Sequence, residues 1–261
     1  MVMERIFDPV IYWSIVGAMS VLAVIVFIAL QRLTAGYGMM YNRRWGPAVG
    51  NRPGWVLMEA PVFFAMLMLW LLSPRRAEAA PAVMVSLFLL HYFQRSFIFP
   101  ALIRGKGKMP LAIIAMGVVF NLLNAYMIGG WIFYLAPEGR YPAFWLASPL
   151  FILGTAVFFL GMWINIQSDG IVRRLRKPGD TRHYIPRGGM YRYVTSANYF
   201  GEFTEWVGFA ILTWSVPGAV FALWTFANLA PRAMRIHERY IEEFGSEYAS
   251  LRRKYIIPYI Y

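Results

Sequence analysis

The residues of this chain that could do chemistry are polar groups set where lipid should exclude them. Glu59 falls inside one long apolar stretch, and His91, Tyr92 and Arg95 fall inside the next. Arg95 is three residues from Tyr92 and four from His91, so a helix carries all three on one face. Asn198, Glu202 and Glu205 follow at spacings of four and three among Phe203, Trp206, Val207, Phe209 and Ile211, a polar stripe on an otherwise apolar helix. Asn165 and Asp169 are again four apart where another apolar stretch ends, and Arg232 with Arg235 closes the last one. A charged side chain at membrane depth costs about 2.5–3.5 kcal/mol, so such groups should pair with one another or line a polar cavity. Arginines suit phosphates, while buried carboxamides and carboxylates suit ribose hydroxyls and a carboxamide. A dinucleotide fits that inventory.

The elements that must position these groups are membrane-spanning helices. Of the 261 residues, 59% are hydrophobic, 18% aromatic and only 15% charged, far more apolar than an average soluble domain. About 20 apolar residues suffice to cross a bilayer as a helix. Seven such stretches are expected at 10–30, 54–73, 81–103, 110–134, 143–166, 196–215 and 217–234, the last two joined as a hairpin through Val216, Pro217 and Gly218. The expected fold is an all-α integral membrane protein, a single domain over 1–261 with a tail at 235–261. The opening Glu4, Arg5 and Asp8 lack the basic start of a signal peptide, so the first stretch is read as a retained span.

The formal net charge of +12 does not point to nucleic acid, because the basic residues sort by loop. Twenty of the 25 lie in the first, third and fifth loops and the tail, leaving Arg5, Arg75, Arg76 and Arg140 on the other side and Arg95 within a span. The positive-inside rule then places the N-terminus outside and the C-terminus in the cytoplasm. Polar groups from the second, third, fifth, sixth and seventh spans share the half of the membrane nearest the basic loops, which predicts one cavity open to that side. Residues 31–53 and 167–195 are expected to be ordered lids or binding loops. The segment 235–255 is expected to form one or two short amphipathic helices. The absence of cysteine excludes disulfides, thiolate metal sites and a cysteine nucleophile, and no metal site is expected. Gly105-Lys106-Gly107 lies in a short loop with no strand–glycine-rich turn–helix unit, so a nicotinamide cofactor would enter the helical bundle itself.

Several runs resemble steroid 5α-reductases, the 3-oxo-5α-steroid 4-dehydrogenases. They are Asn165-Ile166-Gln167-Ser168-Asp169, Leu175-Arg176-Lys177-Pro178-Gly179, Ile185-Pro186-Arg187-Gly188-Gly189, and Tyr193 through Glu202. The likeness continues at Glu205-Trp206, Arg232-Ala233 and from Arg239-Tyr240 to Ile257-Pro258, with upstream echoes at Gly36-Tyr37-Gly38, Glu59 and His91-Tyr92-Phe93. The resemblance implies a seven-span bundle that binds NADPH and saturates the double bond of a Δ4-3-oxosteroid. It implies Glu59 and Tyr92 as the catalytic pair polarising the ketone, and Arg95, Asn165, Asp169, Arg176, Asn198, Glu202, Arg232 and Tyr240 as cofactor-binding residues. A steroid or similar lipid substrate, a monomer and a bacterial inner membrane, or endoplasmic reticulum in a eukaryote, follow as expectations. Three positions depart from the family pattern: Met58 stands where well-known animal enzymes have glutamine, His183 where tyrosine is usual, and Ile236 interrupts a histidine run before His237. Reductases of other lipid enones or of polyprenols, isoprenylcysteine-type methyltransferases and transporters are the rival readings.

Overall fold

The computed structural model describes residues 6–34, 36–105, 107–175, 180 and 182–261. They form mostly helix. Helix α1 spans Pro9–Leu30, α2 Asn51–Leu71, α3 Ala79–Leu102, α4 Leu111–Leu135 and α5 Pro149–Arg174, and these five are long and apolar enough to cross a membrane. Helices α6 (Ala197–Thr213), α7 (Val216–Phe244) and the short α8 (Ser246–Ala249) complete the chain. The expected sixth and seventh stretches are both helical; α6 has 17 residues and α7 has 29.

Helix ends follow local chemistry. Asp8 caps α1 by accepting from the Val10 and Ile11 amides at 2.9 and 3.0 Å, with Pro9 at the first position, where its missing N–H costs nothing. Ser148 and Pro149 start α5 in the same way. The expected span 143–166 therefore begins later, since Ala143–Ala147 forms a separate tight turn before the cap, and it extends to Arg174. Trp214, left-handed at φ 44°, ends α6, and Ser215 caps α7. The tail helix expected over 235–255 is largely a continuation of α7, which does not break until Gly245, at φ 55°.

The tightest joint in the bundle is the antiparallel pair α5/α6. Gly154 and Gly161 on α5 face Gly208 and Gly201 on α6, and a methyl group added at any of the four would collide with backbone of the opposite helix. Seven-residue glycine spacing on both partners produces this seam, because only a hydrogen side chain lets two helix backbones touch. Elsewhere the helices meet through larger groups. α1 turns Tyr12, Val16, Met19 and Ala23 inward, spaced by four, three and four, while Val10, Val21, Ile25 and Ile28 remain exposed on its outer face. Trp206 sits near the centre, 1% exposed, with Phe221 at 4.4 Å, His91 at 4.6 Å and Phe88 at 5.6 Å between ring centroids.

The basic end is tied together by the connections. A two-stranded antiparallel ladder pairs β1 (Ala48–Gly50) with β2 (Lys108–Pro110), in register Ala48 to Pro110 and Gly50 to Lys108. Arg52 caps the end of α3 by donating from Nε and Nη2 to the Ile103 carbonyl at 2.8 and 2.6 Å. The tail is pinned before α6: the Thr195 and Ser196 amides donate to the Lys254 and Tyr255 carbonyls at 2.8 and 3.1 Å. In the loop between α5 and α6, Gly188 adopts φ 90°, a conformation open to glycine at little cost.

Candidate active site

Two polar layers lie within the bundle, one above the other along α2 and α3. The layer farther from the basic end is built on Glu59 of α2, Tyr92 of α3 and two asparagines of α4. Asn121 donates both amide hydrogens, to the Met58 carbonyl and to Glu59 Oε2, each at 3.0 Å. Those two acceptors fix the orientation of its amide and leave Oδ1 facing the Tyr92 hydroxyl at 3.5 Å. Asn124 Nδ2 donates to the same hydroxyl at 3.3 Å. The Tyr92 oxygen is thus supplied with a donor, while its own hydrogen has only a long contact, well beyond the usual 2.7–2.8 Å for a hydroxyl.

Behind Tyr92, His91 Nδ1 meets Glu205 Oε1 at 2.9 Å, with the two residues 4% and 1% exposed. The His91 ring also stands edge-on to Tyr92, 5.0 Å between centroids. Phe88 packs on the other side of Tyr92 at 4.7 Å, so the phenol is held in place by α3 and α6 together.

One turn nearer the basic end, α3 widens into a π-type turn at Gln94–Ile98 that buries Arg95 and Ser96. Such insertions re-aim side chains and recur at functional sites. The guanidinium of Arg95 lies over the rings of Trp55 at 4.4 Å and Phe99 at 4.7 Å. It forms ion pairs with Glu202 Oε2 at 3.4 Å and Asp169 Oδ2 at 4.0 Å. Asn198 Nδ2 donates to Asp169 Oδ1 at 3.0 Å, and Asn165 Nδ2 donates to the Asn198 carbonyl at 2.9 Å. The glycine seam makes this possible: Gly161 and Gly201 bring α5 and α6 close where Asn165, Glu205 and Asn198 emerge.

Arg232 of α7 anchors the loop above. Its Nε donates to the Tyr199 hydroxyl at 2.8 Å and its Nη2 to the Tyr37 carbonyl at 2.9 Å, and its guanidinium lies 3.7 Å over the Tyr37 ring. Tyr37 stands edge-on to Trp55 at 6.3 Å, so Arg232, Tyr37, Trp55 and Arg95 form one continuous wall. Tyr191 is buried beneath the loop, and burial pushes its phenol well above the ordinary value.

The structure therefore brings together Glu59 and Tyr92 in one layer and Arg95, Asn165, Asp169, Asn198 and Glu202 in the next, with Arg232 joined to the second through Tyr37. Tyr240 packs farther out, against Tyr248 at 5.1 Å and Phe244 at 5.8 Å. Arg176 lies outside the described residues. Sequence reasoning missed Asn121 and Asn124, although two amides three apart in an apolar span were visible, and it missed Trp55 as a platform for Arg95. Several buried atoms around the second layer have no hydrogen-bond partner, among them Ser96 Oγ, Ser168 Oγ, Asp169 Oδ2, Ser196 Oγ and Glu202 Oε2; Asn124 Oδ1 is the counterpart in the first.

Comparison with known proteins decides the class. The model of the 3-oxo-5-alpha-steroid 4-dehydrogenase family matches residues 107–261. The chain is 41% identical to 3-oxo-5-alpha-steroid 4-dehydrogenase 1 of Mus musculus over 247 residues, covering 92% of each protein. It is 42% identical to the Homo sapiens protein of that name over 215 residues, covering 82% of this chain and 81% of the other. The chain belongs to the 3-oxo-5-alpha-steroid 4-dehydrogenase family. It is also 37% identical to the steroid 5-alpha-reductase DET2 of Arabidopsis thaliana over 243 residues, covering 90% of each. As a member of this family it is an oxidoreductase acting on CH–CH bonds, which sets aside the methyltransferase and transporter readings.

The stretch matching the 3-oxo-5-alpha-steroid 4-dehydrogenase model holds Asn165, Asp169, Asn198, Glu202, Arg232 and Tyr240, while Glu59, Tyr92 and Arg95 precede it. The three departures are accommodated locally. Met58 is buried with Trp55, Met109 and Ile113. His183 Nδ1 pairs with Glu243 Oε2 at 2.8 Å. Ile236 packs against the cluster of Ile185, Tyr240 and Tyr248, and His237 Nδ1 sits 2.7 Å from Thr195 Oγ1.

Proposed function

We propose that this protein reduces the Δ4 double bond of 3-oxo-4-ene steroids to 5α-3-oxosteroids with NADPH, using Glu59 and Tyr92 to polarise the 3-ketone. The observation that supports this most is that a carboxyl and a phenol from different helices meet one amide, Asn121, at 3.0 and 3.5 Å. Reduction adds a hydride at the β-carbon and a proton at the α-carbon, and negative charge grows on the ketone oxygen between the two events. Donors already aimed at that oxygen stabilise the charge without reorganisation. Tyr92 offers its hydroxyl hydrogen, and Asn124, donating to the same hydroxyl, strengthens it as a donor. Glu59 acts as the neutral acid; with Asn121 on Oε2, its proton resides on Oε1.

The second layer fits a dinucleotide. Arg95 and Arg232 are fixed cations suited to phosphates, and Asp169 Oδ2, Glu202 Oε2, Ser96 Oγ and Ser168 Oγ, which make no hydrogen bond although both carboxylates ion-pair with Arg95, suit the hydroxyls and carboxamide of a nucleotide. Arg95, Asn165, Asp169, Asn198, Glu202 and Arg232 would hold NADPH there, with Tyr240 and, by the family resemblance, Arg176 as further contacts, and the bound cofactor would supply the hydride. Seven spans, with the basic end in the cytoplasm of a bacterial inner membrane or facing the cytosol from the endoplasmic reticulum, would let the cofactor enter from its soluble pool. The protein acts as a monomer in this reading.

The test is NADPH consumption, followed by absorbance, with purified protein and progesterone or testosterone. Glu59→Gln and Tyr92→Phe are each expected to lower kcat about 10²–10³-fold, as loss of one oxyanion donor does. Wild-type rates in both variants would overturn the mechanism. Turnover of a polyprenol or enoyl thioester in place of any steroid would reassign the substrate.

A further inference from the structure

The geometry points to Asn121 as the positioning residue of the reaction, the group that sets which Glu59 oxygen carries the proton and where the Tyr92 hydroxyl stands. This inference rests on the catalytic reading of Glu59 and Tyr92. Asn121 is 5% exposed, on the inward face of α4. Its amide hydrogen-bonds both Glu59 Oε2 and the Tyr92 hydroxyl.

Its role follows from hydrogen-bond bookkeeping at a single amide. Nδ2 has two hydrogens, and both are committed, one to the Met58 carbonyl and one to Glu59 Oε2. The first bond is to backbone, so it fixes the amide relative to α2 rather than to a movable side chain. The second then reaches a carboxyl oxygen one residue along. An oxygen that accepts an N–H is poorly placed to hold a proton toward the same donor, so the acidic hydrogen belongs on Oε1, away from Asn121. Oδ1, with no hydrogen of its own, faces Tyr92 and can only accept. It restrains the phenolic hydroxyl from one side at 3.5 Å, too long to capture its hydrogen when a stronger acceptor arrives. Met58 cannot do this work: its thioether makes no strong hydrogen bond, so a carboxamide from another helix is needed to orient the acid.

An apolar residue at 121 should leave the two donors in the bundle but unaligned with each other. The groups proposed to hold NADPH lie in the other polar layer, and Asn121 itself bonds Met58, Glu59 and Tyr92, so the loss should fall on turnover. The experiment measures kcat and KM for steroid and NADPH in Asn121→Leu and in the isosteric Asn121→Asp, with rates expressed per NADPH-binding site titrated in the same sample. That normalisation removes misfolded protein from the comparison. In each variant that retains NADPH sites, kcat per site is expected to fall at least about 10-fold, the weight of one hydrogen bond to a charged or reacting group, with both KM values within threefold of wild type. Asn121→Asp preserves volume and is decisive where the leucine variant yields no sites.

An unchanged kcat per site would overturn the inference, as would a change confined to KM. If instead the wild-type protein reduces no 3-oxo-4-ene steroid, or Glu59→Gln and Tyr92→Phe both keep full rates, the catalytic reading itself falls, a result distinct from a silent Asn121.

Discussion

Replacing Gly161 by alanine tests whether the α5/α6 seam positions the site. A methyl group at residue 161 would press hardest on Glu205 N and would lie 2.6 Å from Glu205 Cα and Gly201 O, at least about 0.8 Å short of the 3.4 Å where ordinary contact begins. All of these atoms are backbone, so no side chain can swing aside, and the helices must part by an amount of that order. Overpacking of this kind typically costs about 1–3 kcal/mol. For a chain of this size each kcal/mol corresponds to roughly 2–4 °C in Tm, so an apparent melting point lower by about 2–12 °C is expected in detergent. The displaced residues are Glu205, Asn165 and Asn198, and misplacement near 1 Å can lower turnover about 10²-fold. Gly17→Ala is the matched control, because that glycine has nothing within 4 Å of the added group and sits on the exposed side of α1. Melting point and steroid reduction should therefore separate the two alanine variants. Equal behaviour of Gly161→Ala and Gly17→Ala would refute the seam as the element that holds the site.

Further outcomes follow from buried charge and from the tail. Arg95→Leu strands the Glu202 and Asp169 carboxylates, 15% and 9% exposed, with their cation gone; removal of one partner from a buried pair costs about 3–5 kcal/mol, and an unchanged melting point would contradict the network. Arg95→Lys should recover part of the stability yet not the NADPH affinity, since an ammonium lacks the planar fork that lies over Trp55 and Phe99. His237 lies beyond the expected span, and burial lowers its pKa below the ordinary value. The unfolded tail therefore binds protons more readily than the docked one, so docking is strongest above about pH 6.5 and weakens as pH falls through the folded value. The protection factors of the Thr195 and Ser196 amides, whose N–H groups bond the tail, taken against intrinsic exchange at each pH, should decline as pH falls below about 6.5 in the wild type. That decline should shrink in His237→Asn.

The helices were legible because lipid leaves few alternatives: apolar runs near 20 residues must satisfy their backbone internally. Their ends were less so, for separable reasons. Residues 143–147 are apolar, and only the Ser148-Pro149 cap moves the helix start to 149. At the other extreme, Arg235, Arg239 and Glu242 mark a change of composition within α7 rather than its end, since a helix continues where its solvent changes. In the site, charges in apolar runs drew attention to Glu59, Arg95, Asp169 and Glu202. Asn121 and Asn124 drew none because a neutral amide costs much less to bury than an ion. Trp55 was hidden for the opposite reason: an aromatic residue in an apolar helix fits its surroundings whether or not a guanidinium lies over it. The four glycines are plain in the sequence, but which helix face each one meets depends on the antiparallel pairing of α5 with α6.

The division between paired and unpaired polar groups gives these pieces a common logic. Buried polar atoms in folded proteins nearly always have partners, because an orphaned donor or acceptor costs about 1–3 kcal/mol. Here His91 with Glu205, Arg232 with Tyr199 and Asn121 with Met58 and Glu59 satisfy one another and fix the helices that carry them. Ser96, Asn124, Ser168, Asp169, Ser196 and Glu202 each keep a buried oxygen without a hydrogen bond, those of Asp169 and Glu202 being ion-paired to Arg95 instead. These come from α3, α4, α5, α6 and the residue before α6, yet several converge on Arg95 or on the Tyr92 hydroxyl. A fold stable enough to hold so many buried oxygens without hydrogen bonds in an apolar bundle must be compensated by tight packing elsewhere, and the glycine seam between α5 and α6 is where helix backbones come closest. Loosening the seam should therefore weaken the bundle and the site together, whereas filling the orphaned positions with apolar groups should stabilise the bundle at the expense of NADPH binding. Ser168→Ala, which deletes one buried, unpartnered hydroxyl, is expected to raise the melting point without ligand and to reduce the further rise that NADPH produces. A lower melting point in that variant would mean that the hydroxyl serves the fold and not a ligand.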